Sequence, residues 1–219
     1  MTESPAIILN DVHFSWSKNR STTPFIHIPH WQVAQGERVF LQGPSGTGKS
    51  TVLNLLSGIL LADSGKITVL GQDLQQLNNR KRDQFRARHL GVIFQQFNLL
   101  PYLSVKGNIL LSQTFSNVPQ ETQRLHELCE QLQLAPSLLE QAASQLSVGQ
   151  QQRIAVARAL YHKPNIIIAD EPTSALDSNT RDEFIHLLLT QSQKTNSTVI
   201  FVSHDQSIAK HFDRIDNLA

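Results

Sequence analysis

The chain lacks the residues and patterns that mark several large classes of protein. It has 219 residues but a single cysteine, Cys129, so no internal disulfide can form. No apolar stretch approaches the roughly 18 residues that a membrane-spanning helix needs, and the apolar run at 165–169 stops at a carboxylate. The first residues also lack the basic and apolar regions of a signal peptide. These absences predict a cytoplasmic protein whose membrane role, if it has one, comes through a partner.

Net charge is low as well. The 19 basic and 18 acidic residues leave a formal charge of +1, which gives no sign of a nucleic-acid-binding surface. The densest basic run, at 80–88, alternates with polar residues as a solvated helix face does, so we prefer that interpretation to a contact with nucleic acid or anionic lipid. We therefore expect no nucleic-acid partner.

Hydrophobic periodicity predicts an α/β fold. Residues 7–14 and 25–28 alternate as an antiparallel strand pair, and further strands are predicted at 66–70, 90–94, 165–170 and 197–202. Helices are predicted after residue 50, at 80–89 and at 179–193. Between 101 and 145 the segments 105–114, 121–132 and 137–143 are helix-length and polar-faced, which predicts an all-helical insertion. Strands that alternate with helices indicate a doubly wound core.

Residues 43–50 carry the most informative motif, G-x-x-x-x-G-K-S, between a predicted strand and a predicted helix. Glycines let successive backbone N–H groups turn toward phosphate oxygens, and the following helix directs its positive end to the same place. Lys49 supplies a charge to the β and γ phosphates, and the Ser50 hydroxyl is a candidate Mg²⁺ ligand. The chain is therefore predicted to bind a nucleoside triphosphate through Gly43, Pro44, Ser45, Gly46, Thr47, Gly48, Lys49, Ser50 and Thr51.

Two adjacent carboxylates, Asp170 and Glu171, end the apolar run at 166–169. In a phosphate-loop protein the first belongs near Mg²⁺, and the second can reach a water in line with the γ phosphate. Asp170 is therefore a candidate metal-site residue and Glu171 the candidate general base.

A third motif, Leu-Ser-Val-Gly-Gln at 146–150, precedes the helical stretch 154–160. This run resembles the signature of the ATP-binding cassette ATPases, whose usual form is L-S-G-G-Q. The resemblance implies that two chains dimerise head to tail and that Ser147, Gly149 and Gln150 of one chain contact the ATP held by the other. Val148 departs from the pattern, and a β-branched residue would be strained if that position needed a positive φ.

Other elements of the family follow in order. Trp16 matches the aromatic residue that stacks on adenine, with Phe14 as the competing candidate. Gln95 matches the glutamine that senses Mg²⁺ and the attacking water. Asp177 ends a segment that resembles the loop crossing the dimer interface, and His204 resembles the switch histidine that bonds the γ phosphate. The other eight histidines are assigned to the surface or to packing.

The resemblance implies a single cassette over residues 1–219, with ATP and Mg²⁺ as cofactors. Its parts would be a P-loop RecA-like core with an antiparallel β subdomain, at 1–95 and 146–219, and an inserted α-helical subdomain at 96–145. The product of the gene would be an ATPase at the cytoplasmic face of a membrane that drives a separate transmembrane subunit. Candidate contacts with the coupling helix of that subunit are Phe97, Leu99, Leu100 and Tyr102.

The sequence at 95–105 resembles the corresponding segment in the cassettes of lipoprotein-release, macrolide-export and cell-division systems. Amino-acid importers have a similar sequence in this segment, so the direction of transport, export or import, stays open. A cassette that acts on nucleic acid or ribosomes and a simple phosphate-loop kinase are the alternatives from other classes. The first fits poorly with a single copy that lacks long coiled coils, and the second leaves Ser147 and His204 without a role.

Overall fold

Strands form two sheets of different kinds in the computed structural model, which describes residues 5–16, 25–44, 46–111, 113, 121–174 and 176–218. The first sheet is antiparallel and follows the order β2-β1-β4-β5. Its strands are β1 (Pro5–Phe14), β2 (Ile26–Ala34), β4 (Ser64–Val69) and β5 (Gln72–Asp73). The strand pair predicted at the start of the sequence is thus present, and β2 continues to Ala34, past the predicted end.

The second sheet is parallel throughout, in the order β6-β7-β8-β3-β9. Its strands are β3 (Arg38–Gln42), β6 (Leu90–Ile93), β7 (Ile166–Asp170), β8 (Thr198–Val202) and β9 (Arg214–Asn217). Because the sheet is parallel, the carboxyl ends of all five strands lie along one edge. The segments that follow these ends include the phosphate loop and the two carboxylates.

Helices cover both faces of the parallel sheet. They are α1 (Lys49–Leu56), α2 (Asn79–His89), α3 (Val105–Leu110), α4 (Thr122–Gln131), α5 (Val148–Leu160) and α6 (Ser178–Lys194). None of the helices in the described ranges is long and apolar enough to cross a membrane.

Alternate residues of the central strands divide the interior into two cores. Val39 and Leu41 face a core that also contains the apolar side of α1 and the inner face of the antiparallel sheet. Phe40, between them, faces a second core with α3, α4, α5 and α6. Burial of both faces of the strands explains their continuous apolar runs. It also holds α1, and hence the phosphate loop, between the two sheets.

The helical insertion differs from the prediction in its last segment. Residues 137–143 do not form a helix: two 3-10 turns, Pro136–Leu138 and Ala143–Gln145, stand at the ends of this stretch. Backbone bonds from Val105 to Gln141 and from Ala143 to Leu103 tie it instead to the segment before α3. In the predicted segment 105–114 the structure has a helix over Val105–Leu110 and helical conformation at Gln113, while residues 112 and 114–120 lie outside the described residues. The boundaries proposed for the subdomain, 96 and 145, stay a prediction.

Candidate functional site

The phosphate loop leaves the carboxyl end of β3 and enters α1 at Lys49. Gly48 caps the helix with φ 92°, a left-handed conformation that L side chains rarely adopt. A Cβ on Gly48 would lie 2.4 Å from the Ile26 side chain, so both the backbone and the space require glycine there. Gly46 also has a positive φ of 85°. Ser45, predicted as a phosphate contact, lies outside the described residues.

Lys49 is folded back into its own loop. Its ammonium donates to the carbonyl oxygens of Gly43 at 2.6 Å and Pro44 at 3.0 Å, and the residue is only 9% exposed. The Thr47 hydroxyl donates to the same Pro44 oxygen at 2.9 Å. Thr51 is buried in the first turn of α1. The positive charge therefore lies inside the loop, where the sequence motif places it.

Ser50 and Asp170 are 120 positions apart but meet at this edge of the sheet. The Ser50 hydroxyl donates to Asp170 Oδ2 at 2.9 Å. Burial raises the pKa of the Asp170 carboxyl, and the adjacent Glu171 charge also raises it, whereas Ser50 and Lys49 act in the opposite direction. A hydroxyl and a carboxylate in contact are oxygen donors of the kind that Mg²⁺ prefers. The pair therefore fits the ion that the sequence predicts here.

Glu171 and His204 form the second pair at this edge. His204 Nδ1 lies 3.0 Å from Glu171 Oε2, and because an ionised carboxylate only accepts, the nitrogen is the donor. Glu171 has φ 46°, an uncommon conformation for a residue with a side chain, and its N–H donates to Val202 O at 3.0 Å. The Glu171 side chain is 16% exposed and that of His204 is 69% exposed. His204 also lines a depression of about 310 Å³ with Gly43 and Pro44.

Gln95 and Trp16 are both exposed at the surface. Gln95 is exposed two residues beyond β6, the neighbour of β7 in the sheet. Trp16 is 63% exposed and packs edge-to-face on Phe14, with ring centroids 5.1 Å apart. Phe14 itself is buried, so of the two candidates for an adenine contact only Trp16 presents its ring to solvent.

Ser147 begins α5 with a complete capping box. Its hydroxyl accepts from Gln150 N at 3.3 Å, and its own N–H donates to Gln150 Oε1 at 2.9 Å. Val148 is the first helical residue, has no positive φ and is 56% exposed. The departure from the family signature therefore causes no backbone strain. Gly149 has open space around it and lines a groove of about 620 Å³ with parts of α4 and α6.

The signature and the phosphate loop of one chain do not meet. Among the described residues no hydrogen bond joins Ser147, Gly149 or Gln150 to residues 43–51. Asp177 caps α6, accepting from Asn179 N and Thr180 N at 3.1 Å each. These contacts hold the pKa of the Asp177 carboxyl below its usual value, the Thr180 hydroxyl making the largest contribution. Asp177 therefore stabilises the start of α6, in addition to the place at the dimer interface that the sequence suggests for it.

The four residues predicted to receive a partner helix differ in exposure. Phe97 is buried at 7%, which makes it a packing residue here, while Leu99 and Leu100 are half-buried and Tyr102 is 75% exposed. None of the four lines the apolar groove of about 460 Å³ that sequence reasoning missed; its walls include Ile59, Val92, Phe94, Leu111, Arg86 and Arg158.

Arg158 joins this groove to the segment 97–98. Its guanidinium donates to Phe97 O at 2.5 Å and to Asn98 O at 2.7 Å. Phe97 and Asn98 have φ of 56° and 48°, so the guanidinium holds two consecutive residues in the left-handed region. Asparagine is enriched in the left-handed region, so Asn98 is the only one of these two residues whose type indicates the conformation from sequence.

A parallel α/β sheet whose edge combines a phosphate loop, a Ser–Asp pair and a Glu–His pair defines a nucleotide-binding ATPase of the phosphate-loop class. A family model for the ABC transporter matches residues 26–174, more than half of the chain, and the chain belongs to this family. It is an ATP-binding ATPase subunit, as the signature predicted.

Two relatives and one solved structure illustrate the likeness. The lipoprotein-releasing system ATP-binding protein LolD of Legionella pneumophila (strain Lens) is 36% identical over 92% of this chain and 89% of its own. The macrolide export ATP-binding/permease protein MacB of Sodalis glossinidius (strain morsitans) is 36% identical over 97% of this chain but only 32% of its own length. The ATP-binding cassette MJ0796, solved as a dimer bound to ADP and Pi, is 31% identical, with a TM-score of 0.85 over 96% of this chain and 93% of that chain. The predicted fold class is confirmed.

Proposed function

We propose that two copies of this chain close around two molecules of ATP, each held by the phosphate loop of one copy and the signature of the other. The separation of these two motifs within one chain carries the proposal. Ser147 is exposed at the start of α5, while Lys49, Ser50, Asp170, Glu171 and His204 gather at the edge of the parallel sheet. A helix N-terminus attracts anions, and among the described residues no hydrogen bond joins this one to the phosphate loop of its own chain. The related cassette MJ0796 is a dimer.

Hydrolysis then uses groups that already lie in contact. Glu171 takes a proton from the water that attacks the γ phosphorus, the bond to the β-γ bridging oxygen breaks, and ADP and phosphate leave. His204 holds Glu171 in place before nucleotide arrives and bonds the γ phosphate afterwards, while Gln95 orients the water. Ser50 and Asp170 would hold Mg²⁺, and the ion would supply positive charge beside the phosphate oxygens. Trp16 supplies a flat apolar surface for the adenine.

Lys49 must change partners when nucleotide binds. Its three N–H donors now serve two loop carbonyls, Gly43 O and Pro44 O. A phosphate oxygen placed in the loop is a stronger, charged acceptor, so we expect the ammonium to turn toward it. Until nucleotide binds, the loop carbonyls keep the Lys49 ammonium buried and hydrogen-bonded.

We propose that the ATPase drives a separate membrane subunit from the cytoplasmic face, and that the system exports a lipoprotein, lipid or drug across the cell envelope. The likeness to the lipoprotein-releasing protein LolD and the macrolide exporter MacB supports this assignment. The docking place is the groove between Ile59, Phe94 and Leu111, and the exposed Tyr102 is a further candidate contact. An apolar groove with two arginines suits an amphipathic helix whose polar residues face the guanidinium groups.

Purification of the tagged chain from membranes tests this proposal, with identification of the spanning subunit that accompanies it. Ile59→Glu, at a residue 54% exposed in the groove, should reduce the yield of that subunit. Ile215→Glu is the matched control, since Ile215 is 48% exposed but lies in β9, outside the groove. Equal co-purification with both variants would reject the groove, and recovery of no membrane subunit at all would reject the transport partner.

A further inference from the structure

A cluster of three potential metal ligands lies outside the nucleotide site, on the outer face of the antiparallel sheet. Asp11 Oδ1 is 3.0 Å from His13 Nε2 and 3.4 Å from His27 Nε2. One ligand atom from each residue can be chosen so that all three lie within 4.8 Å of one another. The two imidazole rings stack at a centroid distance of 4.2 Å. The sequence alone assigned these histidines to the surface or to packing.

The backbone brings the three side chains together. His13 and His27 are direct cross-strand partners in the pairing of β1 with β2. Asp11 lies where the register of β1 against β4 shifts, and its φ of 49° turns its carboxylate toward the two rings. Gly65 permits this shift, because a Cβ on it would lie 2.1 Å from the Asp11 carbonyl oxygen. The arrangement therefore depends on the sheet rather than on loose surface side chains.

We propose that Asp11, His13 and His27 bind a transition-metal ion of the Zn²⁺, Co²⁺, Ni²⁺ type. Tetrahedral ligands about 2.0–2.1 Å from the ion stand about 3.3 Å from one another, close to the two measured distances from Asp11 Oδ1. Imidazole nitrogen selects these ions over Mg²⁺ and Ca²⁺, which prefer oxygen. The side chains of Asp11, His13 and His27 are 77%, 29% and 47% exposed, so the ion has a path from solvent and room for a water as fourth ligand.

Hydrogen bonds from the two imidazole rings to the Asp11 carboxylate are the competing explanation of the same contacts. A neutral imidazole can donate one ring N–H to a carboxylate, so this explanation needs no ion. A bound dication would instead take the place of the proton on each coordinating nitrogen. The two explanations differ in a measurable way, since only the metal site binds an ion with a defined stoichiometry at neutral pH.

Titration of the nucleotide-free full chain with Co²⁺ at neutral pH tests the proposal, because the visible absorption of Co²⁺ reports coordination number. We expect one tetrahedral ion per chain, displaced by Zn²⁺ and not by Mg²⁺. His27→Gln and His13→Gln should each weaken binding at least about tenfold. His30→Gln is the matched control, since His30 is also in β2 but bonds Asn10 Oδ1 at 2.7 Å, and it should bind as the parent does.

A second readout guards against variants that merely unfold. Zn²⁺ should raise the thermal midpoint of the parent and of His30→Gln, while the midpoints of His27→Gln and His13→Gln should be insensitive to Zn²⁺ but equal to the parent's without metal. Octahedral Co²⁺ spectra, binding that survives both ligand substitutions, or no binding would each overturn the proposal. The test needs no ATP and is independent of the transport assignment.

Discussion

Ser147→Arg separates the two-chain site from every single-chain alternative, and the structure allows its cost to the fold to be estimated. The substitution removes the side-chain cap on Gln150 N, worth about 1 kcal/mol, but the backbone N–H of Ser147 can still donate to Gln150 Oε1. A cation at the helix N-terminus adds about 0.3–1 kcal/mol. Ser147 is exposed, so the longer side chain meets no packing in the single chain. The total of about 2 kcal/mol is small beside the usual 5–15 kcal/mol of a domain, and the variant should fold.

We expect Ser147→Arg to bind ATP through its own Lys49 with near-parental affinity but to lose ATP-dependent dimerisation and turnover. Ser147→Ala is the matched control, because it loses the same cap without adding bulk or charge. Equilibrium titration with a fluorescent ATP analogue and size-exclusion chromatography measure the two properties. If Ser147→Arg hydrolyses ATP at the parental rate, or falls no further than Ser147→Ala, the signature does not contact nucleotide.

A mixture of two variants gives the most direct test of a nucleotide site shared between chains. In a mixed dimer of Ser147→Arg with Lys49→Ala chains, one nucleotide site carries both substitutions and the other carries neither. Random assortment makes about half of the dimers mixed. ATP-dependent association should therefore reappear in the mixture although each parent lacks it, while coupling between the sites can keep turnover low. With subunit exchange demonstrated, a mixture that behaves as the sum of its parents would refute sites shared between chains.

The other predictions concern single side chains of the same edge. Glu171→Gln should still bind ATP but hydrolyse it about 10² to 10⁴ times more slowly and accumulate as a closed dimer; near-parental turnover would remove Glu171 from its role. Lys49→Ala should lose nucleotide capture, which the same fluorescence titration measures, and parental affinity would reject the loop assignment. Asp170→Asn should raise the thermal midpoint of the nucleotide-free protein at pH 7, since burial raises the pKa of Asp170 and makes its charged form more costly in the folded state than in the unfolded chain. Asp213→Asn should lower that midpoint, because the pair with Arg38 depresses the pKa of Asp213; its stabilisation is present above the unfolded pKa of about 3.8 and is lost as pH falls through the folded value. If calorimetry shows the same shift of the thermal midpoint for both variants, or shifts opposite in sign to these, the pKa directions assigned to Asp170 and Asp213 are contradicted.

Local patterns predicted the parts of this fold that local chemistry determines. The glycine spacing at 43–48 and the apolar runs of β7 and β8 are recorded within a few neighbouring residues. Their meeting at one edge follows from the parallel sheet, so the Ser50–Asp170 contact was foreseeable as well. The contact of His204 with Glu171 was not predicted, because sequence reasoning assigned that histidine to a phosphate that the chain itself does not contain.

Two elements were beyond local patterns. The strand β9 reads Arg-Ile-Asp-Asn, with no apolar run to mark it, and it is held by pairing with β3 and by the Arg38–Asp213 ion pair at 2.6 Å. The segment 137–143 has helix-like spacing, yet its backbone bonds go to residues 103–106. Both elements depend on contacts with residues distant in the chain. A short window of sequence does not include those residues, so its pattern does not indicate the contacts.

One helix, α5, connects two surfaces of the chain, the signature and the apolar groove. Its first turn carries the signature, and its last turn carries Arg158 and Ala159 in the wall of the apolar groove. Thirteen residues make a rod about 20 Å long, so a tilt of about 10° at one end displaces the other by about 3 Å. Arg158 hydrogen-bonds the backbone of Phe97 and Asn98 directly, so such a displacement would reach that segment. A tilt imposed at the signature would therefore move one wall of the apolar groove.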